Sequence, residues 1–156
     1  MPDAIQRYYF PTYYADHLVK IAEAGRLWAD QRVEIASKPF LRRFDEHMTQ
    51  VFQDALHRYR ATVTTTANVA DGHTLLKCEG ADNSAAAPGH PLQICSATFY
   101  INEDYAGGDL VFPDQNLTIK PKAGDLIIRP AGHTPTVEPI TRGVRYSVHC
   151  SYVFRP

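Results

Sequence analysis

Hydrophobic spacing changes character part-way along the chain. In the first part, apolar positions return every three or four residues: Leu18, Ile21, Ala22, Gly25 and Trp28, then more regularly Leu41, Phe44, Met48, Val51, Phe52, Ala55 and Tyr59. That period matches a helical turn and predicts two amphipathic helices, each with one face on a core. Ser37-Lys38-Pro39 separates them. Pro39 suits the start of the second helix, where its missing N–H costs nothing. From Ala61-Thr62-Val63 onward, β-branched and aromatic residues fall in short runs between turn residues. The runs predict strands over residues 74–78, 94–101, 109–112, 117–119, 125–129 and 143–154. Ala106-Gly107-Gly108, Pro113-Asp114, Pro121-Lys122-Ala123-Gly124 and Pro130-Ala131-Gly132 mark the turns. Asn83–Pro91 reads as a flexible, small-residue loop. Helices followed by many strands predict an α+β domain, a β-sandwich or barrel with helices on one sheet.

The last strand, GVRYSVHCSYVF, alternates strictly. Val144, Tyr146, Val148, Cys150, Tyr152 and Phe154 make one face; Arg145, Ser147, His149 and Ser151 make the other. The apolar face must be buried. The polar face stands either in water or along an interior pocket. In the second case a buried guanidinium needs a counter-charge. A ligand carboxylate would match its planar fork with two parallel hydrogen bonds.

Composition narrows the class. The chain has 156 residues, 44% apolar and 21% charged, with a formal net charge of -1. The length fits one domain, helical over about residues 1–62 and β-rich over about 63–156. The charge balance carries no nucleic-acid footprint, and the basic groups Arg42-Arg43 and His57-Arg58-Tyr59-Arg60 read as a solvated helix face. Cys78, Cys95 and Cys150 are odd in number and lack metal-type spacing, which fits small buried residues in a reducing compartment and a cytoplasmic location. No apolar run approaches the roughly 18 residues of a membrane span, and the N-terminus has no secretory pattern. His17, His47 and His57 fall in the two helices, and Trp28 with Tyr13-Tyr14 reads as helix-to-sheet packing.

Three stretches carry a resemblance. ATFYINEDYAGGDLVFP is similar to a strand, an Asn/Asp turn and a Gly-Gly-polar-Leu-x-Phe segment. IKPKAGDLIIRPAG is similar to a strand with a Pro, a Gly three positions on and a closing Phe; VEPITRGVRYSV is similar to a Val-x-Pro-Val segment followed by Gly-x-Arg-Tyr. Together, in order, they cover a little over a third of the chain and resemble the iron(II)- and 2-oxoglutarate-dependent dioxygenases, in the prolyl-4-hydroxylase-like branch. The resemblance implies a double-stranded β-helix (jelly roll) with N-terminal helices packed on the major sheet. It implies Fe(II) as cofactor, 2-oxoglutarate as co-substrate, and hydroxylation of a small molecule or peptide side chain coupled to formation of succinate. Arg145 stands where the family pairs the distal carboxylate of 2-oxoglutarate. Ser147 matches an Arg-x-Ser arrangement, and Tyr100 stands where related hydroxylases place a Tyr against the co-substrate.

The metal motif departs from the pattern. The family holds iron with two His and one carboxylate, leaving open positions. In the early His-x-Asp, the carboxylate is Asp82 and the His position is Gly80; a rival alignment uses His90. The late His is expected at Pro135, and His133 lies two residues upstream. Asp82 and His133 are therefore the candidate ligands, with His90, His73 or His149 as the third. The same departures leave open a second expectation, a jelly roll that has lost its iron site and serves as a binding protein or redox-neutral catalyst. A cupin-like binding module ranks behind both, because no clustered His pair is present.

Overall fold

The computed structural model describes residues 4–80 and 92–156. The two helices form where the spacing places them, with shifted ends. Helix α1 is Tyr13–Gly25 and α2 is Arg42–Arg60. The first stops before Trp28 because Arg26 turns into the left-handed region (φ 51), letting the Leu27 N–H reach Ala22 O at 3.0 Å. Pro39 opens a single 3₁₀ turn, Pro39–Leu41, that feeds α2. Helix α2 buries Met48, Val51, Phe52, Ala55, Leu56 and Tyr59. Asp45 in its first turn and His57, Arg58 and Arg60 in its last suit the helix dipole.

Eleven strands are described: β1 (Gln6–Tyr9), β2 (Arg32–Glu34), β3 (Val69–Glu79), β4 (Cys95–Tyr100), β5 (Ala106–Gly107), β6 (Leu110–Phe112), β7 (Leu117–Ile119), β8 (Asp125–Pro130), β9 (Thr136–Val137), β10 (Ile140–Arg142) and β11 (Val144–Val153). Six of them form an antiparallel sheet in the order β1-β8-β4-β11-β3-β2. Its edge strands, β1 and β2, come from the part of the chain expected to be helical. Strand β1 is fixed by Arg7, whose Nε donates to Asp125 Oδ2 at 2.9 Å. Two small sheets, β7-β6-β9 and β10-β5, complete the β structure.

The large sheet is covered on both faces. On one side α1 and α2 meet it, and Leu18, Met48, Phe52 and Tyr59 share a core with Phe99, Leu126, Val148 and Tyr152. On the other, Tyr100 and Ile127 pack against Leu110 and Phe112 of β6 and Ile119 of β7, while Cys78 meets Tyr105 and Ile140. The result is an α+β sandwich.

Strand β11 runs through the centre of this arrangement. Val148, Cys150 and Tyr152 take the helix side, and the Tyr152 hydroxyl donates to Phe52 O at 2.7 Å. Phe154 lies beyond the strand and is exposed, contrary to the alternation. Arg145, Ser147, His149 and Ser151 are all buried, so their face is an interior one and not a wet one. Tyr13 and Tyr14 are exposed instead of packing on the sheet; Trp28 does reach it, its ring tilted against Tyr146 with centroids 6.0 Å apart.

Candidate functional site

A cavity of about 310 Å³ opens between the large sheet and the small sheets. Its floor comes from β3 (Leu76, Cys78), β11 (Arg145, Ser147), β4 (Thr98, Tyr100) and β8 (Ile127, Arg129); Leu110, Phe112 and Val137 form the roof. Thr134 and Pro135, from the turn before β9, close one side. No Asp or Glu is among these residues.

One end is built around Arg145. Its Nη1 donates to Gly108 O at 2.8 Å, and its Nε is buried without a partner. The guanidinium carbon lies 5.5 Å from the Tyr100 ring and 6.0 Å from the Tyr105 ring, within cation–π range. The Gly107-Gly108 turn makes this approach feasible. Both residues have positive φ (81 and 77), and a Cβ on Gly108 would fall 2.9 Å from Arg145 Nη1. Asn102 ties the preceding turn to β11, donating to Val144 O at 2.7 Å and accepting from Tyr146 N at 2.8 Å.

Tyr100 is pushed up to about 12 by burial, with the Arg145 charge opposing. It is a neutral phenol at ordinary pH and a hydrogen-bond donor to an anion. Burial likewise raises Tyr105, again against Arg145. Further along β11, His149 is lowered to about 4 by burial, then by the charges of Arg129 and Arg32. It is therefore neutral, with Nδ1 3.3 Å from Thr98 Oγ1 and Nε2 buried without a partner.

The other end holds Arg129, whose Nη1 donates to His133 O at 3.3 Å. Burial pushes this guanidinium down from its ordinary value, opposed by Tyr100. The cavity wall thus presents two cationic side chains, a neutral phenol and hydroxyls. Such a lining has the chemistry to pair with an anion.

The residues singled out from the sequence are placed unequally. Arg145, Ser147 and Tyr100 come together on one wall. His133 does not line the cavity; its N–H donates to Pro130 O at 3.0 Å, and its neighbours Thr134 and Pro135 face inward in its place. His73 stands on the helix side of the sheet, stacked on Phe52 with Nδ1 2.9 Å from Asp45 Oδ1, so its candidacy as third ligand is corrected by the pleat. His149 is on the cavity side of the sheet, beyond the lining residues. Asp82, His90 and the small-residue loop lie outside the described residues.

The described part of the cavity lining supplies none of the two-His, one-carboxylate set of an iron centre. Among the described residues the wall carries no His and no carboxylate, and Pro135 stands where the pattern has its late His. Gly80 follows β3 with no side chain to offer. Among the described residues, no three His, Cys, Asp or Glu side chains gather closely enough to hold a metal ion. Sequence reasoning missed Arg129 and Thr98. The available signal for Arg129 was its place in the strand pattern, where the resemblance has Phe.

No protein-family model matches the chain. A PKHD-type hydroxylase from Aliarcobacter butzleri (strain RM4018) is 45% identical over 53 residues, 33% of this chain and 24% of the relative. The matched stretch thus spans about a quarter of that relative's length. Among solved structures, a viral collagen prolyl hydroxylase from Paramecium bursaria Chlorella virus-1 gives a TM-score of 0.72 at 13% identity, covering 99% of this chain and 91% of that one. Its 2OG complex gives 0.70 at 13%, covering 99% and 97%. A Pseudomonas putida prolyl-4-hydroxylase gives 0.64 at 16%, covering 98% and 94%. At these identities the structures establish a shared fold, and with the local relative they bear out the resemblance to the prolyl-4-hydroxylase-like branch of the iron(II)/2-oxoglutarate dioxygenases.

Proposed function

We propose that this protein holds 2-oxoglutarate, or a dicarboxylate of the same length, in the cavity between its sheets, on a scaffold of the prolyl-hydroxylase type. The observation that carries this reading is Arg145, buried in a chamber with no acid among its described lining residues, with Nη1 on the Gly108 carbonyl and an unpaired Nε. Removing a guanidinium from water without counter-charge is costly, and a carboxylate answers it with charge and a matching fork. Ser147 and the neutral Tyr100 phenol flank the same spot and supply further donors. The cavity volume, about 310 Å³, is at the small end of ligand sites and suits a metabolite of this size. We read the two facing β layers as a double-stranded β-helix and the odd number of cysteines, all three buried, as a sign of the cytoplasm. No described helix is long and apolar enough to cross a membrane.

Among the described residues the cavity lining holds no His and no carboxylate, which favours binding without iron, as a binding protein or a redox-neutral catalyst. A second reading is favoured by the hydroxylase names of the local relative and the structural neighbours. In it the protein hydroxylates a small molecule or a peptide side chain, with Asp82 and His133 as iron ligands and a third from His90 or His149. That reading needs His133 to turn its ring into the chamber. Metal analysis and anaerobic titration with 2-oxoglutarate, followed by admission of air in the presence of Fe(II), separate the two. Ligand binding with trace iron and no succinate supports the first reading. Stoichiometric iron and succinate formation establish the second. Failure to bind 2-oxoglutarate with or without Fe(II) overturns the proposal.

A further inference from the structure

We propose that Arg129 is a second carboxylate-binding residue, so that the ligand is held at both ends by guanidinium groups. The inference rests on the reading of the cavity as a dicarboxylate site and adds what grips the second carboxylate.

Strand register places the two arginines at opposite ends of one chamber. Arg129 pairs across to Ser96 of β4, and Ser96 to Ser151 of β11. Arg145 lies six residues before Ser151 on β11, roughly 20 Å away at ~3.3 Å per residue. Both side chains nevertheless line the same cavity. Tyr100 stands between them and feels the charge of both.

Arg145 keeps a buried Nε without a partner, and Arg129 is half-buried at the cavity. Arg129 has the His133 carbonyl at 3.3 Å, near the limit of a hydrogen bond, and no described carboxylate forms an ion pair with it. Two cations facing one cavity repel each other unless an anion lies between them. A dianion with a carboxylate at each end meets both. The flanking sequence agrees. Arg129 replaces the Phe that closes the strand pattern, and Pro135, on the same turn segment, replaces the late His. Arg129 thus puts a fixed cation on the strand beside the Pro135 turn, a group able to neutralise a carboxylate.

The test is calorimetric titration of chelator-treated protein with 2-oxoglutarate, glutarate and valerate, for the wild type and for Arg129→Met and Arg145→Met. Wild type is expected to bind both dicarboxylates without metal, with valerate at least about tenfold weaker. Arg129→Met is expected to lose at least about tenfold in dicarboxylate affinity and most of the preference over valerate. An Arg129→Met protein that keeps both overturns the role of Arg129, as does dicarboxylate affinity that appears only on adding Fe(II). Loss in Arg145→Met alone then leaves the proposed function standing. Absence of dicarboxylate binding in wild type under all conditions overturns both. Thermal melting checks that the variants fold. The wild-type comparison of glutarate with valerate needs no variant, and equal affinities overturn the two-ended grip.

Discussion

The two faces of β11 are both buried and differ in what they touch. Toward the helices, Val148, Cys150 and Tyr152 are between 0% and 1% exposed, and Tyr152 spends its one polar group on Phe52 O. Toward the small sheets, Arg145, Ser147, His149 and Ser151 are between 3% and 8% exposed, yet Arg145 Nε and His149 Nε2 end without partners. The first face is finished by the fold. The second carries polar groups whose desolvation the fold does not offset, an arrangement that destabilises the empty protein and favours a ligand able to complete it. Stability and recognition are thus divided between the two sides of one strand, and substitutions on each side should move one property without the other.

The largest effect is expected on the helix side. Tyr152→Ala removes a fully buried ring and should lower unfolding free energy by about 3–5 kcal/mol in denaturant titration, while the folded fraction keeps its affinity for 2-oxoglutarate. Across the sheet, Arg145→Met should weaken 2-oxoglutarate binding by about 2–5 kcal/mol, roughly thirtyfold or more. Its stability should hold or rise, because a buried charge gives way to an apolar chain of similar reach. Loss of both properties together in either variant would dissolve the division.

Acid should expose the cavity face next. His149 is neutral in the fold, lowered to about 4, whereas its unfolded value is near 6.5. Between those values the unfolded chain binds a proton that the folded one refuses, so stability falls as pH drops from about 6.5 toward 4 and is unaffected by this group above that window. Melting temperatures of His149→Gln at pH 7.5 and pH 5 should differ less than those of wild type. Asn102→Ala, which frees Val144 O and Tyr146 N, should cost about 1–3 kcal/mol and loosen the turn beside Arg145, read as a joint loss of stability and affinity. At the small end, Arg42→Ala breaks an exposed i,i+4 pair with Glu46 and should change stability by less than about 1 kcal/mol and affinity not at all.

The parts legible in the sequence are those whose periodicity is set by one buried face. Helix α2 announces itself through Met48, Val51, Phe52, Ala55 and Tyr59, and β11 through its strict alternation. Short strands such as β1, β2, β9 and β10 carry too few residues to show a period, and they exist because neighbours offer them hydrogen bonds. Strand β8 is covered on both sides, so Leu126, Ile127 and Ile128 are all buried and do not reveal that Arg129 faces inward. His73 looked like a candidate ligand by residue type alone; only the pleat assigns it to the helix side. The turn before β9 sets which of His133, Thr134 and Pro135 faces the cavity, and no spacing rule decides that.

A crystal structure of the protein with 2-oxoglutarate tests the cavity assignment most directly. The expected result places one carboxylate on the Arg145 fork within hydrogen-bond distance of Ser147, inside the chamber between the sheets. A ligand bound elsewhere, with Arg145 still joined only to Gly108 O, would contradict it.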